Sequence, residues 1–443
     1  MAIEAHLGLD DIDSPRGGCT THFASLLVER LSQDGVKWLD YPNLVRLNPN
    51  VPYRTRGNGA VALRFKADDQ YAKDVLEIVR EIFPSYVERG YRNTNPGVVL
   101  LLGKPDEEIR EFGAKALWRV QPLGNVRTML MEKDIPHIAS GNGRGLIGAV
   151  SAIGNTLEGD CTYEFIAYRD PELKEEDRGV DPASVAEMNR EMGDKTFANI
   201  DDATGQVLIQ PNGPDPVLYG IRGNKAKDVK KASDMIDAKQ AVERWMIFRT
   251  NQGTDAHLSN LLDINKLRPY LSARVRGQVS KNPRMIVGGH VIFEIEDESG
   301  TIECAAYEPT GEFRETVQKL IPGDSVELHA GVRPASRQHQ FTLNIEGMKI
   351  VKLTDRIEES NPTCPECGKR MKSAGRKKGY KCTNCGFKAP DAKRVKTLIP
   401  REIKTGMYLP PARAQRHLTR PMGRQPRTDT GRPSKLIKKW HEP

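Results

Sequence analysis

The chain of 443 residues has no apolar run near the roughly 18 residues that a membrane-spanning helix needs. No leader with a basic start and an apolar centre precedes Asp10. Cysteine is scarce, with seven in all. Four of them cluster near the C-terminal end, and Cys19, Cys161 and Cys304 are scattered. That distribution argues against a disulfide framework and for a metal site plus separate thiols. These absences together predict a cytoplasmic protein. There is no internal repeat, which excludes a solenoid. No Gly-Lys-Ser/Thr follows any glycine-rich loop, which excludes a Walker-type phosphate loop.

What is present is a chain of ordinary globular composition, 38% hydrophobic. Its length predicts about two to four domains. Charge is unevenly placed. The whole chain carries +8, but residues 364–443 hold 22 basic and 5 acidic side chains. The basic end therefore carries +17, and the remaining body carries −9. A basic end on an acidic body points to a polyanionic partner.

Residues 1–260 read as mixed α/β. Strand patterns fall at 2–9, 59–65 and 97–102, and helical periodicity falls at 23–31, 69–83, 106–116 and 236–248. The segment 170–194 is densely charged and reads as exposed. Residues 268–353 change to period-two patterns. Three strands, a short helix near 312–320 and two further strands follow in the order of an OB-fold β-barrel. That fold commonly binds oligonucleotides on one sheet face, though it also serves as a plain structural domain.

Beyond it stand Cys364-Pro365-Glu366-Cys367-Gly368 and Cys382-Thr383-Asn384-Cys385-Gly386. Two Cys-x-x-Cys knuckles present four thiolates to zinc, with a glycine after each pair to permit the tight turn. All four positions are filled, so the predicted zinc ribbon, residues 360–390, is structural. Lys369, Arg370, Lys372, Arg376, Lys377, Lys378 and Lys381 crowd between the knuckles, beside Tyr380 and Phe387. Cations interleaved with aromatics suit an RNA backbone and unstacked bases. Residues 391–443 are rich in Arg and Pro and read as an extended or disordered basic tail lying on RNA.

The densest chemistry is at the other end. Gly8-Leu9-Asp10-Asp11-Ile12-Asp13-Ser14-Pro15-Arg16-Gly17-Gly18-Cys19-Thr20-Thr21-His22 joins the first strand to the first helix. Three carboxylates at one strand end repel each other unless a cation lies between them, and magnesium takes one or two carboxylates plus phosphate oxygens. Glycines at a helix start offer amides and a positive dipole to an anion. The loop reads as a magnesium–nucleotide site. The plainer alternative keeps Asp13 and Ser14 as turn residues and Thr20 or Thr21 as a helix cap.

This loop resembles that of the archaeal 2-agmatinylcytidine synthetases, which act on the isoleucine tRNA with anticodon CAU. So do Arg46-Leu47-Asn48-Pro49, Pro52-Tyr53-Arg54-Thr55-Arg56-Gly57-Asn58-Gly59-Ala60 and Gly141-Asn142-Gly143-Arg144-Gly145-Leu146-Ile147-Gly148-Ala149. Val217-Leu218-Tyr219-Gly220-Ile221-Arg222-Gly223 and the stretch from Arg249 to Leu258 complete the set, spread over residues 1–260 in the family's order. Ile12 stands where the family usually has Thr.

The resemblance implies a kinase-like catalytic α+β region over residues 1–260, with an interleaved ferredoxin-like domain. It also implies a ligase of tRNA and agmatine. ATP phosphorylates the C2 oxygen of the wobble cytidine, agmatine's amine displaces that phosphate, and AMP and pyrophosphate are released. Asp10, Asp11 and Asp13 would hold magnesium, and Thr20 would be phosphorylated by the enzyme itself. Ser14, Arg16, Gly17, Gly18 and Cys19 would line the nucleotide, with Arg54, Arg56 and Asn58 near phosphates or cytidine. Gly141, Asn142, Gly143, Arg144 and Gly145 would add amides and a guanidinium, unless they are only a glycine turn. Agmatine's guanidinium calls for a carboxylate. Asp201 and Asp202, which are equally plausible as turn acids, are the candidates. His6, His22 and His137 receive no role.

Two other classes remain at this point. One is a non-enzymatic single-stranded nucleic-acid-binding protein, which residues 268–443 alone would support. The other is a kinase-like enzyme with a different substrate. The triple-aspartate loop argues against the first, because a simple binding module has no use for it.

Overall fold

The computed structural model describes residues 2–443 apart from 15, 55–56, 89–90, 92, 171–177, 212, 214, 338–339 and 426–434. The N-terminal part is built on one 11-stranded sheet. Strand Ala2–Asp10 lies antiparallel between Gly59–Asp68 and Gly97–Leu102. Asn43–Arg46 pairs with Gly59–Asp68, and its other edge meets Arg244–Thr250 in parallel through only two residue pairs. Thr162–Tyr168 and Val217–Gly223 continue the sheet beyond Arg244–Thr250.

The short parallel joint between the two halves is reinforced from below. Fully buried Arg249 pairs with Asp40 at 2.7 Å. Asn251 grips the backbone of Arg46 from both sides, accepting from its N–H at 2.8 Å and donating to its carbonyl at 2.9 Å. Two buried charges brought together this closely must be paired, and removing either would leave the other stranded.

Helices cover the sheet. Thr20–Gln33 and Asp69–Tyr86 bury apolar stripes on it, the second capped by Asp68. Asp106 caps Glu107–Ala116. Helix Gly145–Gly154, with the sequence GLIGAVSAIG, has no polar face and is buried nearly throughout. It lies on the first strand so closely that a Cβ at Gly8 would stand 2.2 Å from the Ala149 carbonyl oxygen.

The helix expected over 236–248 is instead a strand, Arg244–Thr250. Trp245 to Thr250 are buried on both faces of a central strand, so no amphipathic alternation betrays them.

Residues 272–352 form the OB barrel. Its strands are Ser272–Met285, Val291–Asp297, Gly300–Ala306, Ser325–Arg333 and Thr342–Lys352, with helix Glu312–Gln318 between the third and fourth. Parallel pairing of Glu303 with Thr342 and its neighbours closes the barrel. An antiparallel ribbon, Arg356–Ser360 with Val395–Ile399, then carries the cysteine knuckles on its far end.

The C-terminal segment corrects the expectation of a loose RNA-binding tail. After the ribbon, Arg401 clamps buried Asp324 at 2.8 Å. Gly406–Tyr408 adds a strand to the barrel. Residues 412–424 run back across the first domain and spend their arginines on it and on the barrel. Arg413 pairs with Asp201, Arg416 with Glu346, and Arg420 and Arg424 both with Asp160. His441–Glu442 joins the large sheet beside Arg244–Thr250, and Trp440 is buried against Trp38 and Tyr41. Composition missed this because the cations answer carboxylates distant in sequence. Part of the tail, 426–434, lies outside the described residues. Among the described residues, no helix is long and apolar enough to cross a membrane.

Candidate active site

The first strand ends in Asp10, and the chain then turns sharply at Asp11, whose φ of 58° is left-handed. Aspartate tolerates that conformation better than most side chains. Asp11 is fixed by the N–H of Asn95, which donates to its Oδ2 at 2.8 Å. Asp10 is enclosed against the first turn of helix Gly145–Gly154. A Cβ at Gly148 would come within 2.0 Å of its Oδ2, so only glycine leaves room for the carboxylate. Burial, then the charge of Asp11, pushes the Asp10 carboxyl well above its usual range. Burial likewise raises Asp11 to about 7, with Asp13 adding to it. A divalent cation among these oxygens would offset both penalties. The donor set, all carboxylate oxygen, fits a hard ion such as magnesium.

Asp10, Asp11 and Asp13 form one end of a cavity of about 820 Å³. Cys19, Thr20 and Thr21, at the start of helix Thr20–Gln33, line it beside them, with Arg144 and Gly145. Thr20 Oγ1 accepts from the Ile12 N–H at 3.4 Å, while Thr21 Oγ1 lies 3.0 Å from the Cys19 thiol. Arg46, Arg54, Arg222, Arg416 and His417 also line it. Glu164 is the buried counterion here, accepting from Arg222 at 3.1 Å and also from Gln252. The cavity thus brings carboxylates and guanidiniums together in one lining. Such an arrangement accepts a metal-bound polyphosphate or a phosphate-bearing chain across its length.

The cysteines converge far from this cavity. The sulfurs of Cys364, Cys367, Cys382 and Cys385 lie within 4.8 Å of one another. Tetrahedral zinc at a Zn–S distance of about 2.3 Å places sulfurs about 3.8 Å apart, so the cluster fits that ion. The two knuckles are built alike. Cys364 N–H donates to Lys369 O at 2.8 Å and Cys382 N–H to Phe387 O at 2.7 Å. Gly368 and Gly386 take left-handed φ of 70° and 79°.

Family models match in four consecutive stretches. A TiaS TCKD domain matches residues 6–141, and a TiaS FLD domain matches 143–257. An OB-fold nucleic acid binding domain matches 273–351, and a TiaS C-terminal zinc ribbon domain matches 361–403. The isoleucine-tRNA 2-agmatinylcytidine synthetase TiaS of Staphylothermus marinus is 42% identical over 95% of this chain and 93% of its own. The chain belongs to the isoleucine-tRNA 2-agmatinylcytidine synthetase family.

Solved structures agree with that membership. The complex of TiaS with its isoleucine tRNA and ATP superposes with a TM-score of 0.86 at 38% identity, over 96% of this chain and 98% of that one. The complex of TiaS with the same tRNA, AMPCPP and agmatine gives 0.83 at 36% identity over the same shares.

In this member of the synthetase family, the expected site residues divide into three groups. Asp10, Asp11, Asp13, Cys19, Thr20, Arg54, Asn58, Arg144 and Gly145 all line the cavity. Ser14, Arg16 and Gly17 face elsewhere. Ser14 donates to Glu88, Arg16 pairs with Glu88 at 3.0 Å, and the Gly17 N–H donates to Ser14 O at 3.2 Å. Their polar groups are taken within the loop's outer face. Gly18 and the turn Gly141, Asn142 and Gly143 support the walls rather than form them. Arg56 lies outside the described residues.

Asp201, the first agmatine candidate, is tied into the fold. It is fully buried and receives Arg413 at 2.7 Å and Thr204. Asp202 is exposed. The ribbon cations Lys369, Arg370, Arg376, Lys377, Lys378 and Lys381 are all exposed. Tyr380 and Phe387 are half-buried and pack against the buried Met371–cysteine core.

Several groups escaped sequence reasoning. Asn95 buckles two loops together, holding Asp11 through its N–H and accepting from Asn142 N–H at 3.0 Å. Arg46, Glu164, Arg222 and His417 come from four distant stretches. Arg46 and Arg222 sit within the family-like motifs, which was the available signal; His417 had none.

Proposed function

We propose that this chain joins agmatine to C2 of the wobble cytidine in the isoleucine tRNA with anticodon CAU, using ATP. The observation that carries the reading is the cavity lined by the three carboxylates and several guanidiniums, in a chain similar over almost its whole length to synthetases solved with isoleucine tRNA, ATP and agmatine. Asp10, Asp11 and Asp13 would hold magnesium, which supplies charge neutralisation at the phosphates when bound. Phosphoryl transfer needs little beyond placement and charge compensation. Arg144 and the start of helix Thr20–Gln33 orient the phosphates against the carboxylates.

The cytidine's C2 oxygen takes a phosphoryl group and so becomes a good leaving group. Agmatine's amine attacks C2, the C–O bond breaks, and the oxygen departs on phosphate. Transfer of the γ-phosphoryl group leaves ADP and the displacement releases phosphate; the AMP and pyrophosphate that the resemblance implies would need a further cleavage between the α- and β-phosphates. Thr20 is the residue this reading marks for self-phosphorylation. It lines the cavity beside the triad, and its hydroxyl lies over the loop backbone at Ile12. The zinc ribbon and OB barrel hold the rest of the tRNA, with the exposed ribbon lysines on its backbone.

The deciding experiment incubates the protein with tRNA, ATP, magnesium and agmatine, and analyses the wobble nucleoside by mass spectrometry. Cytidine gaining agmatine less one water supports the reading. Unchanged cytidine, with tRNA still bound, returns the chain to the class of RNA-binding proteins.

A further inference from the structure

A second cavity, of about 380 Å³, lies behind the first. The two share Arg46, Arg54, Gly57, Arg416 and His417 in their walls. These residues therefore form a neck. On the far side the second cavity is walled by the OB barrel, through Tyr307, Asn344, Ile345 and Glu346. Tyr307 and Arg333 are linked there by a 2.8 Å hydrogen bond.

The neck is assembled from two distant segments. Arg46 ends strand Asn43–Arg46, and Arg54 and Gly57 lie in the loop before the next strand. His417 comes from the C-terminal strap, which lies beyond all four matched family models. The strap is held in place by backbone bonds. The Gly253 N–H donates to His417 O at 2.9 Å, and the Asp255 N–H donates to Leu418 O at 2.8 Å. Arg46 and His417 press on one glycine. A Cβ at Gly57 would stand 2.8 Å from Arg46 Nη1 and 3.4 Å from His417 Nε2.

Charge at the neck is unbalanced. Arg416 is engaged by Glu346 at 2.7 Å. Arg46 has an enclosed Nε with no hydrogen-bond partner among the described residues. The neighbouring charge that acts on Arg54 is another cation, Arg416. Glu164 and Asp13 lie within electrostatic reach of Arg46, but Arg222 opposes them. His417 is surrounded by Arg46, Arg222 and Arg54, which keep its imidazole neutral and able to donate one hydrogen bond. Its side chain is nonetheless accessible, and it is accessible to the cavities it divides. Two guanidiniums and an imidazole facing one gap invite a singly charged, multiply accepting anion.

We propose that this neck is a phosphate subsite, in which Arg46, Arg54 and His417 hold an RNA backbone phosphate next to the nucleotide being modified. The proposal rests on the synthetase reading above. RNA is favoured over the triphosphate by position. The carboxylates, Arg144 and the start of helix Thr20–Gln33 line the first cavity only, whereas the neck opens toward the nucleic-acid-binding barrel. A chain passing from the barrel to the active site through this neck would run its backbone between these three side chains. The C-terminal strap then becomes part of the substrate gate.

The test uses the full-length protein and tRNA carrying one uncharged methylphosphonate at each linkage flanking the wobble cytidine in turn. Dissociation constants for tRNA and KM for ATP are measured for wild type, Arg54→Met and His417→Gln. Loss of one charge-assisted phosphate contact is worth about tenfold in affinity. One neutralised linkage is expected to weaken wild-type tRNA binding about tenfold. Arg54→Met should weaken it similarly, the two changes should not add, and KM for ATP should stay within about twofold. His417→Gln, which retains a donor, should lose less.

Full sensitivity to every neutralised linkage persisting in Arg54→Met would overturn the proposal. So would a tenfold rise in KM for ATP with tRNA affinity unchanged, which would assign the neck to the nucleotide. Because RNA affinity is read without turnover, a protein that binds tRNA in this way yet makes no agmatine product would fail the synthetase reading and not the subsite.

Discussion

Replacing Trp440 with alanine tests whether the basic C-terminal end is part of the fold. The ring is 6% exposed and sits edge-on to Trp38 at 5.9 Å and to Tyr41 at 6.0 Å. The residue's carbonyl accepts from the Ile247 N–H at 2.9 Å, in the centre of the large sheet. Truncating a buried tryptophan costs about 3–5 kcal/mol through lost transfer energy and the cavity left behind. The two aromatic pairs place it in the upper part of that range. For a domain of this size each kcal/mol moves Tm by about 2–4 °C. Trp440→Ala should therefore lower the melting of the N-terminal sheet domain by about 10 °C in scanning calorimetry, with the barrel transition unmoved. A tail lying loose on RNA predicts no change at all. An unaltered thermogram would refute the assignment of residues 435–443 to the core.

The remaining expectations concern metals and the threonine. Anaerobically purified protein should contain close to one equivalent of zinc, and Cys385→Ser should lose it; less than half an equivalent in the wild type would count against the ribbon site. Asp11→Asn should abolish most ATP turnover while leaving the fold intact, since it relieves a buried repulsion; normal turnover would end the carboxylate assignment. The same repulsion sets a pH dependence. The Asp10 and Asp11 pKa values are raised in the folded state, to about 7 for Asp11, so the folded protein binds more protons than the unfolded chain. Stability without metal should then fall as pH rises from the unfolded carboxyl range toward and through 7. Magnesium should raise Tm at pH 8 and do little at pH 5; equal effects at both would refute this. Peptide mapping after incubation with ATP and magnesium should place phosphate on Thr20, with the label lost in Thr20→Ala and kept in Thr21→Ala. Label on Thr21 alone would mean the wrong hydroxyl was chosen.

Much of the architecture was written in local pattern. The period-two strands and Glu298-Ser299-Gly300 turn of the barrel are local, and so are the two glycine-closed cysteine knuckles. The carboxylate loop was legible because three aspartates at a strand end have few structural uses. Two segments hid for a shared reason. Trp245 to Thr250 are buried on both faces, so their strand character has no alternation to show. Helix Gly145–Gly154 is buried nearly throughout too, and its Gly148, which no pattern singled out, leaves room for the Asp10 carboxylate.

The sequence by itself determined which chemistries were available: a cation-hungry loop, a four-thiolate knuckle pair, an oligonucleotide-type barrel and a surplus of positive charge at one end. Each depends on neighbours a few residues apart, so each survives reading in one dimension. The tertiary structure alone decided where that charge went. Arg413, Arg416, Arg420 and Arg424 look like an RNA-binding arm until Asp201, Glu346 and Asp160 are seen beside them. It also decided that Ser14 and Arg16 turn outward to Glu88, and that Arg46, Arg54 and His417 meet at one neck. Electrostatic pairing falls with distance in space and is indifferent to separation along the chain. An ion pair between residues 160 and 424 therefore leaves no mark on either segment.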